Sequence, residues 1–304
     1  MHILISKVVF TLALCLAPAA IAQDIDIAEI VRTQDAYIAE ITEDTRAEFV
    51  AALAAYDDAP TVEIVSAHLS IMVNDTATKN YKNMLESAAA ARVHLEPVSD
   101  LLPKQYAKAR YTVAIALFHG NLEDDAMIEM AHVEGFARSY VDDTGEQPEW
   151  AWNLKWKAAA WGMAMDAYFE SARKRHPSDD EIEQIRASYG ADVSSLNGIE
   201  NTRVDEPGLP PCSGRMLQTP KMRYPAGKAL RGKFGAVILG MQFDAQGNVI
   251  NPRVLASVPF EEFDEKSMRT VSKWKFKPDD PKQVGISCRL QRNDVVQPVV
   301  FQIR

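Results

Sequence analysis

The chain has 304 residues, enough for about two domains. Its 47% hydrophobic and 25% charged residues, with only 14 Gly and 16 Pro, exclude a largely disordered or low-complexity chain. The net charge of −9 hides an asymmetry: residues 23–206 carry 16 Lys+Arg against 34 Asp+Glu, whereas residues 207–304 carry 16 against 8. An acidic region of net −18 therefore precedes a basic one of net +8, and either half could dock on the other or on a partner of opposite sign.

The N-terminus reads as an address. Lys7 precedes an apolar run from Val8 to Ala17, Pro18 breaks it, and Ala20-Ile21-Ala22 has the small-x-small pattern of a cleavage site. Residues 1–22 are expected to be a secretory signal peptide cut before Gln23. The alternative is an uncleaved inner-membrane anchor, but the apolar stretch after Lys7 is about fifteen residues, short of the roughly 20 that span a bilayer. A lipidated Cys15 fits poorly, because Leu14 stands where a small residue is wanted. Export argues against a nucleic-acid partner. Without the leader two cysteines remain, Cys212 and Cys288, and an oxidising compartment favours one disulfide between them over two buried thiols.

Residues 23–200 are expected to form an acidic helical domain, because Gly is rare and apolar residues recur at helical spacing. A first helix begins at Ile27, Ile30 and Val31 and continues through Phe49 and Leu53 until Pro60. A second passes through Ile64, Leu69 and Ile71 and breaks at Asn74-Asp75-Thr76. A third runs through Met84, Leu85 and Val93 to Pro97. Asp100 caps a fourth, which carries Tyr106, Tyr111, Ile115 and Leu117 and ends at Gly120. Asn121 caps a fifth through Met127, Met130 and Phe136. Gln147-Pro148 opens a sixth, with Trp150, Leu154, Trp161, Met165 and Tyr168 on one side. Ser178 to Glu181 has the form of a capping box for a seventh. Helix pairs with short turns, best seen from Lys108 to Ala137, resemble a tetratricopeptide-like array, although no clean 34-residue repeat exists and an irregular bundle is the alternative.

Pro207, Gly208, Pro210 and Pro211 punctuate a linker over residues 201–211. Beyond it, over residues 212–304, the hydrophobic period changes from about 3.6 to 2. Val237, Leu239, Met241 and Phe243 alternate with Ile238, Gly240 and Gln242, which predicts a half-buried strand. Asp244 to Asn248 is a hairpin loop, Val249 to Ala256 the returning strand, Pro259 to Lys273 a helix, and Val295 to Ile303 a closing strand. The expected fold is an all-α N-terminal domain followed by a small α+β domain with an antiparallel sheet.

Tyr224-Pro225, Gly232-Lys-Phe-Gly235 with Val237, Phe243-Asp244 with Gly247 and Val249, Arg253-Val254-Leu255 with Ser257 and Pro259, and Phe263-Asp264 followed by Trp274-Lys-Phe276-Lys-Pro278 occur in this order. In order and spacing, this region resembles the C-terminal domain of TonB-family energy transducers. Cys212-Ser-Gly214-Arg with Cys288 resembles the cysteine pair of one subset of that family. The resemblance implies a protein-binding module in which an extended peptide adds to a sheet edge. Carried over, partner binding falls to Gln218, Arg223, Tyr224 and Pro225 and to Val295, Val296, Val299, Phe301 and Ile303. Pro298 interrupts the donor row of that closing strand, which confines pairing to part of it; the alternative is that the valines are core and Pro298 guards the edge against pairing.

The implied function is a periplasmic protein that binds a protein partner, an outer-membrane TonB-dependent transporter foremost, by strand addition. One alternative is a membrane-anchored energy transducer working with inner-membrane motor proteins, which requires an uncleaved N-terminus. The other is an assembly scaffold acting through its helical domain. The family's long Pro-rich arm has no counterpart here; an acidic helical region takes its place. No His-Glu-x-x-His, Walker loop or Gly-x-Ser-x-Gly occurs, so no catalytic residues, metal or cofactor are expected. His132-Val-Glu134 reads as helix surface, the other carboxylates of the acidic half as a solvated face, and Trp150, Trp152, Trp156 and Trp161 as bundle core.

Overall fold

The computed structural model describes residues 27–55, 62–172, 177–190, 209–222, 234–259 and 263–301. The expected signal peptide lies outside them, as does most of the expected linker. Two compact units are present, residues 1–59 and 60–304.

In the first unit, α1 (Ile27–Ala39) and α2 (Glu43–Ala54) replace the single helix expected from Ile27 to Leu53. Thr42 is the reason. Its hydroxyl accepts from the Thr45 amide at 3.2 Å while its own amide donates to Thr45 Oγ1 at 3.1 Å. That reciprocal cap starts a new helix where periodicity alone runs on. The rings of Tyr37 and Phe49 then meet at 5.8 Å.

The second unit begins with α3 (Val62–Thr78), α4 (Tyr81–Leu95), a 3₁₀ turn (Glu96–Val98), α5 (Pro103–His119), α6 (Glu123–Ser139), α7 (Glu149–Ala172) and α8 (Asp179–Ser188). From α3 to α7 each helix packs on the next, and α8 returns onto α6. The expected break at Asn74-Asp75-Thr76 is absent. Thr76 and Thr78 turn their hydroxyls back onto the carbonyls of Met72 and Asp75, at 2.7 and 3.0 Å, and the helix continues. The chain instead leaves the helix at Lys79 (φ 57°), and Asn80 caps α4 by accepting from the Asn83 amide. Two expected caps also move. Helix α5 starts at Pro103, which needs no donor at N1, so Asp100 lies outside it. Asn121 takes the left-handed conformation (φ 61°) in the α5–α6 turn, leaving Leu122 at the cap position. Ser178 caps α8, accepting from the Glu181 amide at 3.2 Å, which is one half of the expected capping box.

Strands β2 (Gly235–Phe243), β3 (Val249–Val258) and β5 (Arg292–Phe301) form an antiparallel sheet in the order β3-β2-β5. The expected sequence of strand, strand, helix, strand is present, with α9 (Asp264–Val271) as the helix. Two further strands escaped the period-2 pattern because each is only four residues long. They are β1 (Gly214–Leu217) and β4 (Lys275–Pro278), which pair with each other as a ribbon. The hairpin loop is held by Asp244, whose carboxylate accepts from the Gln246 and Asn248 amides and from Asn248 Nδ2, with Gly247 at φ 76°.

Strand β2 is not half-buried; both of its faces are covered. Val237, Leu239, Met241 and Phe243 pack with Phe263, Val271, Trp274 and Phe276 on the α9 side. Ala236 and Ile238, with Ala256 and Val258 of β3, pack against Trp161, Met165 and Phe169 of α7. The near-continuous apolar run from Ala236 to Met241 is the pattern of a strand buried on both sides. The four tryptophans of α7 divide: Trp156 and Trp161 are buried, whereas Trp150 and Trp152 are only partly so.

Candidate partner-binding edge

Strand β5 stands at one edge of the three-stranded sheet, bonded to β2 along one side. Its register sets the direction of each side chain. Val295 faces Met241, Val299 faces Val237 and Phe301 faces Gly235, all on the α9 side. Val295 is 1% exposed, and Phe301 is 3% exposed and stacked on Phe263 at 4.3 Å. Val299 is half-buried against the same cluster, and Val296, opposite Gly240, packs on the α7 side. These four residues, chosen from the sequence as partner contacts, therefore give their side chains to the two cores. What they leave at the edge is main chain.

Val300, opposite Ala236, is 43% exposed and is the apolar side chain of β5 most open to solvent; it was not among the residues chosen from the sequence. Pro298 sits mid-strand opposite Ile238, and a proline is tolerated at a sheet edge; among the described residues β5 pairs with β2 alone. Gln297 Nε2 donates to the Pro298 carbonyl at 2.9 Å.

Arg223, Tyr224, Pro225 and Ile303 lie outside the described residues. Gln218 is exposed, one residue past β1 and away from β5 in the pairing scheme. The segment after it is pinned by Trp274, whose Nε1 donates to the Pro220 carbonyl at 2.9 Å. Cys212 and Cys288 are joined, S–S 2.06 Å, and close a loop with a sequence separation of 76. Beside them Arg292 donates from Nη2 to the Cys212 carbonyl and lies over the Phe276 ring at 4.3 Å. Burial pushes its guanidinium below the ordinary arginine value.

A second polar centre lies among the helices, where the sequence suggested only surface. Glu134 is 1% exposed, between Arg138 Nε at 2.8 Å and Arg186 Nη2 at 2.9 Å. His132 Nδ1 is 3.0 Å from the Tyr189 hydroxyl, which also accepts from Arg110 Nη1 at 2.8 Å. Gly135 makes room for this layer: a Cβ there would come within 2.7 Å of the Tyr189 ring and 3.2 Å of the Arg186 backbone. The carboxylates are held by fixed arginines, an arrangement that locks helices together. Among the described residues, no group of three or more His, Cys, Asp or Glu is placed to hold a metal, and no helix is long and apolar enough to cross a membrane.

Residues 220–293 match the family described as Gram-negative bacterial TonB protein C-terminal. The α+β region thus carries a TonB C-terminal domain, as its motifs imply. The match leaves out β1 and Cys212 before it and most of β5 after it. Among solved structures, the solution NMR structure of the Pseudomonas aeruginosa TonB C-terminal domain aligns at 23% identity, covering 30% of this chain and 84% of that one, with a TM-score of 0.23. No curated protein matches the chain.

Proposed function

We propose that this chain is a periplasmic TonB-family protein that binds a protein partner by strand addition at β5, with an outer-membrane transporter as the first candidate. The observation that carries the proposal is the combination of the TonB C-terminal match with an edge strand whose side chains are mostly spent inward. Such a strand offers a row of main-chain donors and acceptors to an extended peptide, while its own fold does not depend on the outer side. Placing the site on main chain also explains how buried Val295 and Phe301 can belong to a binding strand. They hold it rigid, which lowers the ordering cost of association.

A photoreactive residue at exposed Val300 is the direct test. In intact cells it should give one discrete envelope-protein adduct, and the same residue at Val31, exposed on α1, should not. Absence of an adduct at Val300 under conditions of normal expression counts against the proposal. Export by a cleaved leader is tested separately by N-terminal sequencing of the native protein. A start at Gln23 supports the periplasmic form, and an intact Met1 supports the anchored energy transducer instead.

A further inference from the structure

The ribbon of β1 and β4 has two unlike faces. Met216 and Phe276 are cross-strand partners and turn into the core shared with Trp274. On the other face Arg215 stands opposite Lys277 and Leu217 opposite Lys275, and all four are exposed. Two cations directly opposed on a ribbon repel each other, an arrangement that folding alone would not favour. None of the three makes an ion pair among the described residues. Asp244 lies within electrostatic reach of Lys275, but its carboxylate is already engaged by Gln246 and Asn248. Asp279 and Asp280 follow at the Pro278 end, so the cationic face opens toward the Leu217 end.

Among the described residues the ribbon also has an unpaired side. Strand β4 is bonded to β1 on one side and to the hairpin loop on the other, through Phe276 N to the Gly247 carbonyl at 2.7 Å. Strand β1 pairs with β4 alone among the described residues. The Cys212–Cys288 disulfide and the Asp279 amide, donating to the Ser213 carbonyl at 3.0 Å, hold it at its base. Strand β1 precedes the family match, which begins at residue 220.

We infer that the outer edge of β1, with Arg215, Lys275 and Lys277 beside it, is a second docking site, which takes an extended acidic peptide segment of a partner protein. The peptide's main chain pairs with β1, its carboxylates relieve the Arg215–Lys277 repulsion, and Leu217 supplies an apolar contact. The inference does not depend on the β5 proposal, since the two edges belong to separate sheets.

The test uses the full oxidised chain and a fluorescein-labelled decaglutamate peptide, followed by anisotropy at low salt, where charge steering is least screened. Saturable binding is expected, weakened at least about tenfold by Arg215→Glu or Lys277→Glu, and by less than about twofold by Lys266→Glu, an equal charge change at an exposed position of α9. A decaglutamate N-methylated at alternate amides, which keeps all its carboxylates but loses half the amide donors, should bind more weakly. Lys277→Glu places an acid opposite Arg215, so its thermal midpoint should not fall, which separates lost binding from lost folding. The inference is overturned by absent decaglutamate binding, by an equal loss in Lys266→Glu, or by equal affinity for the N-methylated peptide. Binding to phosphatidylglycerol vesicles without binding to decaglutamate would overturn it in favour of a membrane surface.

Discussion

Arg110 of α5 and Glu129 of α6 form a two-pronged ion pair, Nε to Oε1 at 2.6 Å and Nη2 to Oε2 at 3.0 Å, with both side chains buried. Burial pulls the Arg110 guanidinium down, and the hydrogen bonds and charge of Glu129 more than reverse this, so its pKa is raised. Arg92 of α4 approaches the same carboxylate at 3.6 Å, and Tyr106 and Tyr189 hydroxyls meet Arg110 Nη1 at 3.4 and 2.8 Å. One acid thus ties α4, α5 and α6, and through Tyr189 the end of α8.

Glu129→Ala should cost about 3–5 kcal/mol, because it leaves Arg110 buried and uncompensated. Arg110→Met combined with Glu129→Leu should recover most of that loss, since removing both charges removes the desolvation cost with them. Urea unfolding of the two variants checks this. A double variant as unstable as Glu129→Ala would show that the pair is more than a self-cancelling ionic contact.

The same layer makes stability depend on pH. His132 is pushed below the ordinary histidine value, chiefly by burial, with Arg110 and Arg92 adding to the effect and Glu129 opposing it; His119 is pushed down by burial alone. Both imidazoles are therefore harder to protonate folded than unfolded. Their contribution is fully present above the unfolded value of about 6.5 and is lost as pH falls through it toward the lower folded values. Urea midpoints at about pH 7.5 and 5.5 should fall with acidity, and His132→Gln should flatten that fall in part, leaving the His119 share. An unchanged slope in His132→Gln would remove this residue from the explanation.

The disulfide offers a third measurement. Crosslinking residues 76 apart restricts the unfolded chain, worth about 4 kcal/mol in a chain-entropy description. Cys212→Ser with Cys288→Ser should lower stability by about that amount, a fall in thermal midpoint on the order of 10 °C. A change below about 1 kcal/mol would mean that the ribbon base is held instead by Arg292 and by the main-chain bonds from the Arg289 amide to the Pro210 carbonyl and from the Cys212 amide to the Arg289 carbonyl.

Much of this molecule was legible in its sequence where local chemistry acts alone. Ser178 caps its helix, Gly247 turns its hairpin, and Trp274 and Phe276 plug the sheet as their motif implies. What stayed hidden depends on partners far along the chain. Glu129 meets Arg110 from the preceding helix and Glu134 meets Arg186 of α8, so a local window shows Arg138 beside Glu134 but not that both acids are buried in ion pairs. Four-residue β1 and β4 are too short for periodicity, and each exists because the other does. At the candidate edge the presence of the closing strand was readable and the direction of its side chains was not. Val295 and Phe301 turn inward because β2 supplies Met241 and Gly235 opposite them.

Ile238 is where sequence expectation and structure can be set against each other most directly. As the outward residue of a half-buried strand it would lose little on truncation. In the structure it is 1% exposed, between the sheet and the α7 cluster of Trp161, Met165 and Phe169. Ile238→Ala should therefore open a cavity and cost about 2–5 kcal/mol, as core truncations do. Gln242→Ala, two pleats further along and only half-buried, should stay within about 0.5 kcal/mol. The further expectation concerns cooperativity. If the sheet and α7 share one core, Ile238→Ala lowers the transition seen by far-UV circular dichroism, dominated by helix, together with the one seen by Trp274 fluorescence in a chain whose four α7 tryptophans are replaced by Phe. Separate transitions, with only the sheet destabilised, would show that helices and sheet fold as independent bodies despite the shared cluster.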